Sequence, residues 1–438
     1  MPSNNTVTIC RAELAKLLTG LGLDPVLSER AEFSGDDQVF PTGFRVGAAA
    51  GIALAAAHLA AFGQRLRIDL DLAALTTQGY RRVQLDDASV AAPRDALTGF
   101  YTTQDGRSIF LHVNFAHHRT RLLALLGADP TRDSIASRAR EWDSGVLEDA
   151  LAEAGAIGAV ARTLSEWAAS PQGRALAGLS PIEVIKIGEG PVEALSDAVP
   201  LRVIDFTRVL AGPTCGKTLA ELGARVTRID NPLYPDLLSY QLDANRNKEQ
   251  VTLDLRERKA RDKLEGMIGA SDVFLQAYRP GVVAAFGLDE TTLARARPGI
   301  VCATLSAYGH VGPWAGRRGF DSVLQASAGL AMQQDEGAPK LLPVSPIDYM
   351  SGYLLAFGVN VALGRRAREG GSYLVRTSLA QAANWLVKLG LNDTPGDGDI
   401  ESLVARHSMV SPGPLGSVTH LRSPITRIGS QNPTGRMS

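Results

Sequence analysis

Four groups of residues in this chain have types and spacings that could do chemistry. The first is a single carboxylate. In PVSPIDYMSGYLLAFGV, Ser345 stands where a helix cap belongs, Pro346 suits the first turn, and Asp348 falls at the third helical position. Its bland role is a capping-box variant that complements the helix dipole. Its chemical role would be that of a nucleophile, kept ionised by the dipole and attacking a thioester or acyl carbonyl. The second group is the turn AGPTCGKT, Ala211–Thr218, which comes close to a phosphate-binding P-loop. Its first position is Ala211 instead of Gly, and Pro213 removes an N–H donor from the cradle. Only Asp230, after VTRI, offers a weak Mg²⁺-binding carboxylate. A small-residue turn packing a helix on a sheet, or a helix N-terminus facing some other anion, fits better than a nucleotide hydrolase.

The third group is basic. Arg208 in DFTRVLAG, Arg246 and Lys248 in ANRNKEQVTLDL, and Arg279 in AYRPG flank predicted strand ends. Gathered on one rim, they would hold a nucleotide diphosphate. The fourth is His112, His117 and His118 in LHVNFAHHR, with no carboxylate or cysteine at ligand spacing, so packing roles are favoured over a metal.

The elements that must position these groups change character along the chain. Residues 1–40 are a leader with a short helix over Ala12–Leu23, and Val46–Phe62 is an Ala-rich helix too short and too weakly apolar to span a membrane. LRIDLDL, Leu66–Leu72, alternates as a strand, and Asp105-Gly106 between YTTQ and RSIFLHVNF signals a hairpin. Amphipathic helices follow over about 118–175, and IGEGPVEALSDAV, 187–199, has a linker's composition. From residue 201 strands alternate with helices: LRVIDF, Val226–Ile229, VTLDL, a helix near 257–268, DVFLQAY, LDETTLARARP and IVCATLSAYG. That alternation predicts an α/β fold with a parallel sheet and ligands beyond the carboxyl ends of its strands. Gly43–Leu75 and Ile347–Trp385 share one pattern of helix, Gly turn, strand and helix, pairing Gly51 with Gly352 and Ile68 with Val375.

A length of 438 residues suggests two or three domains. With 45 Lys+Arg against 46 Asp+Glu, the chain lacks the basic surplus of a general nucleic-acid binder. Cys10, Cys215 and Cys302 are too few and scattered for a disulfide scaffold or zinc site. With no signal peptide evident, a cytoplasmic protein is expected.

LRVIDFTRVLAGPTCGKTLAELGARVTRID, NRNKEQVTLDL, DVFLQAYRPGVVAAFGL, PGIVCATLSAYGHVGPWAGRRGFDSVLQASAGL and IDYMSGYLLAFG together resemble the class III (CaiB/BaiF-type) CoA-transferase family over about 200–385. The resemblance implies a Rossmann-like domain at 200–390, a smaller α+β domain, coenzyme A as substrate, no metal, and a homodimer that can be interlocked. It places Asp348 at the family's catalytic aspartate. It puts Arg208, Ala211, Gly212, Pro213, Asn245, Lys248, Tyr278, Arg279 and Pro280 around CoA, with Tyr308 and Gly309 near the acyl end. The implied reaction moves CoA between an acyl-CoA and a carboxylic acid through aspartyl anhydride and aspartyl-CoA intermediates.

Several residues depart from that pattern. Phe320 replaces the histidine that the family's racemases carry just before Asp321, which counts against acyl-CoA racemisation. AMQQDEGAPKLL lacks the Gly-rich gating loop of formyl-CoA transferases, and Leu210 replaces a polar residue. Residues 41–195 resemble the family's later half yet precede the Rossmann-like segment, and 391–438 resemble its closing tail. The repeat then puts Gly47 where Asp348 lies in the second copy, so the first copy lacks a nucleophile. A non-catalytic acyl-CoA-binding subunit is the rival from another functional class.

Overall fold

The first strand of the principal sheet ends on the first two residues of the segment read as a linker. β1 (Glu183–Gly188) includes its opening Ile-Gly; the rest of the sheet is β2 (Arg202–Phe206), β3 (Arg225–Asp230), β4 (Lys248–Thr252), β5 (Val273–Gln276), β6 (Val301–Ser306) and β7 (Ser372–Ser378). The computed structural model describes residues 4–91, 94–195, 199–333, 337–392 and 394–429, which leaves part of that linker and of the AMQQDEGAPKLL segment outside the described residues.

The strand order is β4-β3-β2-β5-β6-β7-β1, all parallel except β1, which runs antiparallel to β7. VFLQ of β5 and VCATLS of β6 are buried at every position, as strands covered on both faces require. From β2 the chain winds outward one way to β3 and β4, then returns to β5 and winds the other way. The carboxyl ends of β2 and β5 therefore diverge at a topological switch point, where α/β sheets hold ligands. The predicted α/β fold is thus present.

Four helices frame this point: α1 (Val46–Phe62), α2 (Ala211–Glu221), α3 (Asp321–Ser327) and α4 (Pro346–Glu369). α4 is buried along most of its length. It rests on α1, where Asn360 Nδ2 donates to the Ala57 carbonyl (3.1 Å). It also presses on α2, where only hydrogen fits at Gly352: a Cβ there would lie 2.5 Å from the Ala211 carbonyl oxygen. This contact seats the first turns of α4 beside the turn that follows β2.

The two halves of the sequence repeat fold alike. α1 ends at Gly63 and leads to a strand (Leu66–Asp69) and a helix (Leu70–Thr76), as α4 ends at Gly370 and leads to β7 and a helix (Leu379–Lys388). The expected strand over 66–72 stops early because Asp69 caps the next helix, accepting from the Leu72 N–H (3.1 Å). This strand joins a separate three-stranded sheet with Ala31–Ser34 and Ile425–Arg427. A Cβ on Gly47 would stand 2.7 Å from the Leu70 carbonyl oxygen and 3.0 Å from Asp37 Oδ1, so the first copy has no room for a side chain there.

The predicted hairpin forms from Gly99–Thr102 and Ser108–Leu111, extended by Gly158–Val160. The helices Ala116–Leu126, Arg132–Ala139 and Ser144–Ala154 cover it with a small core of their own. The leader helix is longer and earlier than expected, Asn4–Gly20. The hairpin Ser408–Gly413 with Gly416–Leu421 packs back onto Gln84–Leu85. Among the described residues no helix is long and apolar enough to cross a membrane.

Candidate active site

The capping role suggested for Asp348 belongs to another residue. Ser345 occupies the cap position of α4 but makes no capping bond; its Oγ lies 3.4 Å from Tyr80 Oη. Asp321, at the start of α3, reaches across and accepts from the backbone N–H of Ile347 (2.8 Å) and of Asp348 (3.1 Å) through Oδ2. Its Oδ1 accepts from Gln325 Nε2 (2.5 Å), and Gln325 also donates to the Val344 carbonyl and accepts from the Leu342 N–H. Asp37 does for α1 what Asp321 does for α4, accepting from the Ala48 N–H (2.6 Å). Relieved of capping, the Asp348 carboxyl makes no hydrogen bond to a described residue. It is 6% exposed, and that remaining surface faces two cavities.

Burial sets the charge state of this pair. Removal from water pushes the Asp348 carboxyl well above the usual carboxylate range, and the charge of Asp321 adds to the rise. That rise opposes the stabilisation a helix dipole would give an ionised carboxyl at this position. Asp321 is raised to about 6, also by burial, but bonds from Asp348 N–H, Gln325 and Ile347 N–H hold it down. The first negative charge of the pair is favoured on Asp321, where three donors meet it, over Asp348, whose carboxyl none meets. A reaction needing the Asp348 carboxylate accordingly gains rate as pH rises, along a limb above the ordinary carboxylate range. Asp321→Asn removes the like charge, so that limb moves to lower pH. A pH–rate profile checks both, and an unshifted limb in the variant is the contrary result.

The first cavity, about 470 Å³, opens at the switch point. Arg208, Val209 and Leu210 after β2, Ala277–Pro280 after β5, and Leu305–Ala307 at β6 line one side; Phe115, His117, His118 and Arg121 line the other. Arg317 and Arg318 complete a cationic wall. Arg318 loses basicity through burial and then through the charges of Arg279 and Arg121, a crowding that a bound polyanion would relieve. Arg208 lies over the Tyr234 ring at 5.6 Å and pairs with Asp236 at 3.4 Å. Val209, a β-branched residue at φ 69°, holds a strained turn by donating its N–H to Asp236 Oδ2 (3.1 Å), and it lines both cavities.

The second cavity, about 900 Å³, lies on the other side of Asp348. Tyr80, Arg81, Arg94, Phe100, Phe110 and His112 from the first part of the chain meet Tyr240, Phe320, Asp321 and Leu342 from the second.

Of the residues singled out from the sequence, Asp348, Arg208, Ala211, Gly212, Tyr278, Arg279 and Pro280 line the first cavity. Pro213, Asn245, Lys248, Tyr308 and Gly309 do not. Lys248 is fully buried on Asp205 Oδ2 (2.7 Å) and donates to the Pro213 carbonyl (2.8 Å) and Asn245 Oδ1 (3.2 Å), so all three form a support beneath α2. Tyr308 turns inward to Ser327, and its carbonyl accepts from Gln172 Nε2 (2.7 Å). Arg246 is spent on His420. Asp230 pairs with Arg228 (2.6 Å), and the three free cysteines are buried. His112 stacks on Phe320 (4.5 Å) and bonds Ser322, while burial pushes its pKa down to about 3. Among the described residues no group of three or more His, Cys, Asp and Glu could hold a metal. Arg121, Arg318, Val209 and Tyr234 were missed; only the Arg317-Arg318 doublet carried a sequence signal, a run of positive charge.

The fold and site thus define an α/β protein with a guanidinium-lined cavity at the switch point of its sheet, a cavity that Asp348 also lines. Residues 200–412 match the model of CoA-transferase family III. A probable fatty acyl-CoA transferase of Mycobacterium tuberculosis is 36% identical over 197 residues, 42% of this chain and 50% of that protein. An acetyl-coenzyme A transferase of Hypoxylon pulicicidum is 30% identical over 333 residues, 69% of this chain and 56% of its own. A crystal structure from M. tuberculosis aligns with 45% of this chain and 59% of that one at 34% identity, with a TM-score of 0.41. The chain spans about half the length of the curated relatives it matches.

Proposed function

We propose that this chain is a CoA-transferase that moves CoA from an acyl-CoA to a free carboxylic acid, with Asp348 as the nucleophile. The observation that carries this reading is the Asp348 carboxyl itself, buried, without a hydrogen-bond partner among the described residues, and set where the two cavities meet. A carboxyl that only stabilised a helix would be bonded to it; here Asp321 does that work.

The atoms balance without a co-reactant. The Asp348 carboxylate attacks the thioester carbonyl and expels CoA thiolate, leaving a mixed anhydride. The thiolate attacks the aspartyl carbonyl, releases the first carboxylic acid as its anion and forms aspartyl-CoA. The acceptor carboxylate attacks that thioester, and the thiolate then attacks the acceptor's carbonyl to release the new acyl-CoA and restore Asp348. Overall one thioester replaces another, so the transfer is close to balanced in energy, with the two anhydrides as higher-energy intermediates.

Arg208, Arg279, Arg121 and Arg318 suit the phosphates of CoA, with Tyr278 and Pro280 beside them. Asn245, Lys248 and Pro213 act from beneath, by holding the α2 turn. In the same reading, 41–195 serve as the small-domain half ahead of the 200–390 segment. Because both cavities draw residues from both parts of one chain, a homodimer would not be needed to complete the site.

Removing one guanidinium, as in Arg318→Ala, should raise the KM or Kd for CoA by about 10- to 100-fold, the worth of a charge-assisted contact. The loss should shrink as salt increases. Titration of wild type and variant with CoA measures it. Exchange of labelled carboxylate into acyl-CoA tests the function; tight CoA binding with no exchange would favour a binding subunit.

A further inference from the structure

Arg317 and Arg318 both line the first cavity, but their partners differ. Arg317 pairs with Asp149, lies 4.0 Å from Glu148 Oε2, and sits over the Trp314 ring at 4.5 Å. Arg162 lies over the same ring at 4.9 Å and forks onto Glu148, Nη1 to Oε1 at 2.7 Å and Nη2 to Oε2 at 2.5 Å. Glu148 is buried and also accepts from the Val160 N–H (2.8 Å). The charges that act on Arg318, by contrast, are those of Arg279 and Arg121, both cations.

One helix of the first part of the chain, Ser144–Ala154, reaches this whole wall. Glu148 and Asp149 stand at its middle, and just past its end the Gly155 carbonyl accepts from Arg121 Nη1 (3.1 Å). The helix dipole favours a cation there. Gly155 has φ 68°, and a Cβ on it would lie 3.0 Å from Arg318 Nη1, so bare backbone lets that guanidinium approach. The loop over 307–320 that carries both arginines is latched by fully buried Gln172. Its amide donates to the Tyr308 and Val311 carbonyls (2.7 and 2.8 Å) and accepts from the Trp314 N–H (2.8 Å). The loop's Gly316 carbonyl lies 3.5 Å from Arg279 Nη1, so the place of the loop bears on that side chain as well.

We propose that Glu148 is a positioning residue for the anion held in the first cavity. It joins Arg162, Trp314 and Arg317 into one unit, and that unit sets Arg318, with Arg121 and Arg279, against the ligand's phosphates. Arg317 is then a structural cation and Arg318 a ligand-binding one. The assignment rests on the CoA reading for the identity of the anion.

Glu148→Gln makes charge and position act in opposite directions. It deletes a negative charge beside a site for a polyanion, and Coulomb's law alone would tighten binding. Positioning predicts the reverse. Calorimetry on the full chain should show the Kd for CoA raised about 5- to 20-fold, while kcat for exchange at saturating acyl-CoA stays within about twofold of wild type. Asp149→Asn deletes the same charge from a side chain that is 66% exposed, and should bind CoA at least as tightly as wild type. Arg317→Lys leaves the buried carboxylate and the charge count alone but loses the planar stack and fork, and should weaken CoA binding by about 3- to 10-fold. CoA binding as tight as wild type in Glu148→Gln or in Arg317→Lys would overturn the proposal, as would a loss confined to kcat. If the wild type binds CoA but exchanges none, the transferase reading falls, while the same order of Kd values still supports the positioning role.

Discussion

Asp348→Asn is expected to lose CoA exchange by at least about 10⁴-fold and at the same time to make the protein more stable at neutral pH. The loss follows from the chemistry, because an amide cannot form the anhydride or return as a carboxylate leaving group. The gain follows from the electrostatics. In the unfolded chain both carboxyls titrate near 3.8; in the folded protein Asp321 titrates near 6, and Asp348 lies well above its ordinary value. Between those limits the native state binds more protons than the unfolded state, so stability falls as pH rises through that window. At pH 7 the pair therefore costs stability. Asn at 348 removes one ionisable group and the repulsion with it. Urea midpoints at pH 7 and pH 4 measure the effect: the variant should be more stable at pH 7, with little difference at pH 4. A less stable variant at pH 7 would mean that Asp348 is a structural residue.

Lys248→Ala should have the opposite character, a large structural cost. The Lys248 ammonium is fully buried against Asp205, which otherwise keeps a bond from the Thr207 hydroxyl. Burial lowers the basicity of Lys248, and Asp205 opposes that fall. Removing the lysine leaves a carboxylate in the protein interior without its counter-charge, at a cost of about 3–5 kcal/mol. It also releases the Pro213 carbonyl and Asn245 Oδ1, so the α2 turn that lines the first cavity loses a tether. Denaturant unfolding should show the loss, and the double variant Asp205→Leu/Lys248→Met should recover much of it. A loss below about 1 kcal/mol would show that water reaches the pair.

The parallel sheet was legible because its central strands carry short, mainly apolar stretches separated by helix-length segments, as at Val273–Gln276 and Val301–Ser306. The site was legible in part, and the reason is geometric. Arg208 and Arg279 directly follow strands whose ends diverge, so local order along the chain already places them at the cavity. Lys248 opens β4 in the same way, yet its long side chain turns inward to Asp205, a long-range choice that no spacing reveals. The capping box around Ser345 and Asp348 failed for the same reason: Asp321, 27 positions earlier, competes for those N–H groups and wins. Arg94 and Arg81 could not be grouped with Asp348 from sequence, because the packing of the first part of the chain on the second creates their shared cavity.

The central claim is that Asp348 forms covalent bonds during turnover. Incubating the protein with an acyl-CoA, quenching with hydroxylamine and sequencing peptides by mass spectrometry tests it most directly. The account predicts a hydroxamate on Asp348, absent without acyl-CoA and absent in Asp348→Asn. Sustained CoA exchange with Asp348 left unmodified, or exchange retained in Asp348→Asn, would contradict it.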